Sequence, residues 1–244
     1  MKCQYTLVVA EAPAMSTRRV INQLTQLCMP LALVSVMGLV PSAPVAAATI
    51  DLQEYKLNID GAIQSAGPAI NLSAFDISTG LGTVAVTITD AGTHYVGLFV
   101  DHEIDEATNT FYNEYGASSG SPPAGLSWEI DEPGYSFGNI YEHFKSSALD
   151  NANGVPSTDP DDVSMALAWS FVLAPGDPGA EIQFLLSGTA PPSGFYLRQT
   201  DPDGGAVYYS STLQVVPIPA ALVLFGSGFA ALGGIGLRAR RRSD

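Results

Sequence analysis

Residues 163–173 read VSMALAWSFVL, and their alternation decides the fold class. Val163, Met165, Leu167, Trp169, Phe171 and Leu173 hold the odd positions, with Ser164, Ala166, Ala168, Ser170 and Val172 between them. A strand sends successive side chains to opposite faces, so this pattern reads as one buried face and one wet or lightly covered face. The same period runs through Val84, Val86 and Ile88, through Val96, Leu98, Val100 and Ile104, and through Ile182, Phe184 and Leu186. Shorter strands are expected over residues 69–75, 126–130, 195–199 and 206–215. Gly and Pro turns separate them: Asp90-Ala91-Gly92, Pro175-Gly176-Asp177-Pro178-Gly179, Pro191-Pro192-Ser193-Gly194 and Asp201-Pro202-Asp203-Gly204-Gly205. The expectation is an all-β domain: a single antiparallel β-sandwich of jelly-roll kind. One segment departs from it. Over residues 139–149, Ile140, Phe144 and Ala148 fall at helical spacing, which predicts a short helix packed across one end.

This domain is expected to span residues 49–215, because both flanks read as targeting segments. Residues 1–48 are read as a signal peptide whose true start is Met15. Arg18 and Arg19 form its positive region, and residues 27–40 its apolar core. Ala46 and Ala48 supply the small-residue cleavage pattern, so Thr49 opens the mature chain. The core is short for a membrane span. Both cysteines, Cys3 and Cys28, fall in the leader, which leaves the mature domain without a disulfide or a thiolate metal ligand.

The other flank, residues 216–244, reads VPIPAALVLFGSGFAALGGIGLRARRRSD. Apolar and small residues run from Ala220 to Leu237, about 18 positions, near the lower limit for a spanning helix. Arg238, Arg240, Arg241 and Arg242 then form a basic stop that stays in the cytoplasm. Export at one end and a basic stop at the other leave the domain between them outside. Pro217 and Pro219 keep the preceding stretch extended, as a protease requires of its substrate. Val216-Pro217-Ile218-Pro219-Ala220, a transmembrane helix and an arginine cluster, in that order, resemble the VPLPA variant of the PEP-CTERM sorting signal. Ile218 stands where that variant usually has leucine. The resemblance covers about an eighth of the chain. It implies a membrane cysteine protease, exosortase, as partner, which recognises and is thought to cleave the tail. It implies further an inner-membrane intermediate after Sec export, then a cell-surface or extracellular location in a Gram-negative bacterium that makes exopolysaccharide.

Charge narrows the function of the domain itself. Three basic residues (Lys56, Lys145, Arg198) against 22 acidic ones leave it near −19, while the whole chain carries −14. Such a surface repels phosphate backbones and excludes nucleic acid as a partner. It suits solubility, or the binding of divalent cations. The densest acidic segment is Asp101-His102-Glu103-Ile104-Asp105-Glu106. On a continuing strand, Asp101, Glu103 and Asp105 share one face at about 6–7 Å spacing. Two readings stand: a solvated acidic edge that discourages strand pairing, or a calcium site. No EF-hand is present, since Glu106 stands where the loop glycine belongs and Tyr112 where the closing glutamate belongs. His102-Glu103 lacks the second histidine of a zinc-protease helix, and His102 falls on the core face beside Val100 and Ile104.

Residues 128–135 (WEIDEPGY) mix acids with aromatics, which makes Trp128 and Tyr135 candidates for sugar contact beside a plain packing role. Glu129 and Asp131 share a strand face and so cannot flank a glycosidic bond. Asp159-Pro160-Asp161-Asp162 and Asp201-Pro202-Asp203-Gly204 read as turns able to lend oxygens to a cation. No serine elbow and no phosphate loop occurs. The expected function is a non-enzymatic surface or matrix component associated with exopolysaccharide, with calcium as the one cofactor the residues suggest. A calcium-assisted carbohydrate-binding module and a polysaccharide hydrolase are the alternatives.

Overall fold

A computed structural model describes residues 48–107 and 109–215. The residues read as sorting motif, tail helix and basic stop (216–244), and the leader up to and including Ala47, lie outside the described residues. In chain order the elements are β1 (Ile50–Ile59), β2 (Ala62–Gln64), β3 (Ile70–Asp76), β4 (Leu81–Ile88), β5 (Gly92–Ile104), a 3-10 turn (Phe111–Asn113), β6 (Tyr115–Ser119), β7 (Leu126–Asp131), α1 (Ile140–Lys145), β8 (Ser164–Leu173), β9 (Ala180–Ser187), β10 (Tyr196–Thr200) and β11 (Ala206–Val215). They form two antiparallel sheets, ordered β2-β1-β5-β8-β7 and β3-β4-β9-β11-β10-β6. The chain is an all-β sandwich with one small helix. Among the described residues no helix is long and apolar enough to cross a membrane.

The alternation explains the core. Val96, Leu98, Val100 and Ile104 of β5 share an inward face with Met165, Leu167 and Trp169 of β8. They meet Val84, Val86, Ile182, Phe184 and Leu186 from the facing sheet. Two polar contacts cross the gap, the first buried and the second partly so: Tyr209 Oη donates to Leu98 O at 2.7 Å, and Trp169 Nε1 to Ser211 Oγ at 2.9 Å. Each satisfies a polar tip that the apolar core would otherwise strand.

Two elements follow their own logic. β1 carries its inward residues in two phases, Ile50 and Leu52, then Tyr55, Leu57 and Ile59, because a bulge falls between Leu52 and Glu54. β1 turns into β2 through Asp60 and Gly61, both at positive φ (53° and 87°), the backbone that a two-residue hairpin of type I′ needs.

The helix lies against the outer face of the five-stranded sheet, not across an end of the sandwich as its sequence led us to expect. Ile140 and Phe144 pack with Leu149 on Phe99, Ala166 and Ala168, the residues that point away from the core on β5 and β8. Alanines there leave room for a helix. Gly97 leaves more: a Cβ on it would stand 3.0 Å from Ala168 Cβ and 3.1 Å from Phe144 Cε2. Asn58, fully buried on β1, donates from Nδ2 to Phe144 O (2.6 Å) and accepts from Gly61 N–H at Oδ1 (2.8 Å), fixing one side of the helix.

Candidate functional site

Beyond the helix, the same outer face turns acidic. β5 sends Asp101 and Glu103 to this face, 1% and 7% exposed, while His102 and Ile104 point into the core. Across the sheet Asp101 lies opposite Glu54 of β1 on one side and Ser164 of β8 on the other. Asp162, from the loop that leads into β8, completes the group. One carboxylate oxygen from each of Asp101, Glu103 and Asp162 lies within 4.8 Å of the other two.

Asp105, the third carboxylate expected from sequence, is not among them. At φ 56° it leaves the strand path, and its Oδ1 accepts a hydrogen bond from Thr49 N–H at 2.6 Å. A left-handed residue cannot keep its side chain in the strand's two-residue period. Asp162 takes the place that strand periodicity gave to Asp105.

The electrostatics of the group follow from burial. Desolvation, then the neighbouring Asp162 charge, pushes Asp101 up to about 7, although the Ser164 hydroxyl donates to its Oδ1 at 2.8 Å. Glu103 rises to about 8, first through burial and then through Asp162, Asp101 and Glu114. Asp162 rises to about 6 through burial, then through Asp161 and Glu132. Neither described lysine offsets these charges: Lys56 pairs with Glu54 at 2.9 Å and Lys145 with Glu142 at 2.6 Å.

Asp162 also belongs to the wall of a cleft of about 440 Å³. The 3-10 turn provides Phe111 and Tyr112 on one side; the loop after β7 provides Tyr135 and Phe137 on the other, with Glu132 and Asp161 at the rim. These aromatics are open to solvent, 40%, 61%, 69% and 72% exposed in that order. Phe111 and Tyr112 stand edge to face, ring centroids 5.3 Å apart. Tyr135 Oη donates to Glu54 Oε2 at 2.8 Å, which ties its loop to the sheet beside Asp101. Glu114 holds the opposite wall: its fully buried carboxylate accepts from Ile104 N–H at 2.9 Å and from Gln199 Nε2, and its carbonyl accepts from Asp161 N–H at 3.0 Å.

The other candidates resolve differently. Trp128 shares the inward face of β7 with Leu126 and Ile130 and packs on Phe195, centroids 5.8 Å apart. It is part of the core and does not face the cleft. Tyr135 does. Glu129 and Asp131 take the outer face of β7 and serve the helix. Glu129 Oε1 meets His143 Nδ1 at 2.8 Å, Glu129 Oε2 accepts from Asp150 N–H at 3.1 Å, and Asp131 Oδ2 accepts from Asn139 N–H at 2.8 Å. Glu129, His143 and Asp150 are close enough to hold a metal, yet both Glu129 oxygens already have donors. The three histidines lie apart. His102 is fully buried near Gly80 O (3.4 Å), where desolvation lowers it to about 4, so its ring is neutral. His94 binds Asp60 Oδ2 (2.9 Å) and Asp90 O (2.8 Å). The Asp201 turn is self-satisfied, its carboxylate accepting from Asp203 N–H (2.6 Å) and Asn109 Nδ2 (3.0 Å).

Sequence reasoning passed over Phe111, Tyr112 and Phe137 as site residues. Their signal was present: aromatics placed in loops without period-2 partners have no core face to occupy. No protein-family model, curated protein or solved structure matches this chain.

Proposed function

We propose that the chain is an exported, non-enzymatic cell-surface or matrix protein, sorted through its tail by exosortase, whose sandwich holds polysaccharide in the aromatic cleft. The observation that carries the binding reading is the set of four solvent-open aromatic rings lining one acid-rimmed cleft. Sugar rings present C–H faces to aromatic planes and hydroxyls to carboxylates, and such a mixture offers both. A monomeric domain gains nothing in stability by holding Tyr135 and Phe137 some two-thirds open to water. Glu132 and Asp161 would accept sugar hydroxyls at the rim. The sorting reading rests on the Val216–Ala220 motif and the arginines behind it.

Affinity electrophoresis through gels containing bacterial exopolysaccharides tests the cleft. The wild-type chain is expected to be retarded by at least one polymer, and Tyr112→Ala with Phe137→Ala to run freely. Unretarded migration in every polymer, or equal retardation of the variant, would remove the reading. The sorting half is tested separately by the mass of the protein recovered from its native host. Loss of everything beyond the 216–220 motif supports processing; retention of the arginine-rich end counts against it.

A further inference from the structure

We propose that Asp101, Glu103 and Asp162 form a divalent-cation site selective for calcium, and that the bound ion fastens the cleft wall to the sheet. The geometry is convergent: three carboxylates from β5 and the loop before β8 bring one oxygen each within 4.8 Å of the others. Proximity alone is common among acidic residues, but the state of Glu103 is not. The residue is 7% exposed, and its Oε2 is buried with no hydrogen-bond partner. Asp162 Oδ1 is likewise buried without a donor. A buried carboxylate oxygen that lacks an N–H or O–H donor leaves a strong acceptor uncompensated, at a cost of several kcal/mol for as long as the group stays ionised. A cation among them is the compensation that the group's own geometry permits.

The donor set selects the ion. Every near ligand is a carboxylate or hydroxyl oxygen, with Ser164 Oγ already on Asp101. No sulfur or imidazole takes part, which disfavours zinc and copper. Magnesium keeps most of its water and is usually held by one or two carboxylates, whereas three carboxylates closing on a half-buried point suit calcium's larger shell. Asp162 is shared between this group and the cleft lining, so an ion here would fix the acid-rimmed wall in place. The site stands independently of the polysaccharide reading, and either can fail without the other.

The test is thermal unfolding of the full chain in detergent micelles, in EDTA and across a calcium series, with magnesium as comparison. Saturation a hundredfold above Kd is expected to raise Tm by about 5–10 °C, from the linkage relation and the size scaling of Tm. Glu103→Gln and Asp162→Asn are each expected to melt in EDTA within a few degrees of wild type, since each replaces a buried oxygen that has no donor with an amide of the same shape, and to lose the calcium shift. The pair guards against one of them misfolding. Glu129→Gln, at the helix contact, is expected to keep the shift. No calcium shift in wild type, or a full shift in both Glu103→Gln and Asp162→Asn, overturns the site; an equal response to magnesium overturns its selectivity.

Discussion

Glu114 offers the sharpest prediction about how this domain responds to pH. Its carboxyl is fully buried between β5 and β10, and desolvation raises it from 4.5 to about 8 in spite of the donors from Ile104 and Gln199. In the unfolded chain the group ionises near 4.5, so between those two values the folded state holds a proton that the unfolded state has released. Unfolding therefore gains from ionisation as pH rises, and stability falls from about pH 4.5 up to about pH 8. A tenfold change in proton affinity between the two states is worth about 1.4 kcal/mol. Between pH 5 and pH 8 the group alone should remove about 3 kcal/mol of stability, counting partial ionisation at both ends. Urea unfolding at the two pH values in EDTA measures the difference for wild type and for Glu114→Gln. The amide of the variant would face Gln199 Nε2, itself a donor, and that conflict carries its own cost. Being independent of pH, it cancels when the two conditions are subtracted. The variant should thus lose about 3 kcal/mol less than wild type between pH 5 and pH 8. Equal pH dependence in both proteins would refute the argument.

The remaining predictions concern the struts around the site. His94 is raised by its hydrogen bond to Asp60 Oδ2; the sign is opposite to that of Glu114, so its contribution is fully present below about pH 6.5 and fades as pH climbs through the raised value. Asp60→Asn should flatten that portion of the stability curve by no more than about 1 kcal/mol, because Asp60 is 44% exposed, and an unchanged curve in chemical denaturation would speak against the contact. Phe144→Ala should cost about 3–5 kcal/mol in urea unfolding, the usual range for emptying a fully buried phenylalanine site. A loss below about 1 kcal/mol would mean the helix contributes little to the sheet beneath it. Gly97→Ala should destabilise by about 1–3 kcal/mol through contact with Phe144 and Ala168, and the loss should shrink in a Phe144→Leu background if that contact is its cause.

The inner faces of both sheets were readable because packing enforces period two wherever a strand meets the core. β5, β8 and β9 show it without interruption, and β4 and β11 appear close to where alternation puts them. β1 escaped because its bulge shifts the phase after Leu52, so neither half alone is long enough to stand out. Asp60-Gly61 was a readable hairpin signal at its end. β6, YGASS, carries almost no apolar residue and is held by its ladder to β10. It has no pattern to detect. Trp128 could have been placed in the core from Leu126 and Ile130 two positions on either side. Asp162 could not have been matched with Asp101, because only the pairing of β5 with β8 brings the loop before β8 to that point.

Net charge and site charge also separate on physical grounds. An excess of acids meant only for solubility has no reason to leave water, and most of the 22 acidic residues do stay partly or wholly solvated. Five are buried: Asp101, Glu103, Glu114, Glu129 and Asp201. For Glu114, Glu129 and Asp201 the reason is visible, since each accepts backbone or side-chain donors that join distant segments. Asp101 has the hydroxyl of Ser164, but Glu103 has no comparable donor for Oε2. A strand edge guarded by charge would keep Glu103 in solvent, where it could repel another chain. Instead β5 runs through the middle of its sheet, between β1 and β8, with no edge to guard. The protective reading of the acidic run thus fails at these two positions on topology alone, and what remains at Glu103 is a buried acceptor oxygen that no side chain around it satisfies.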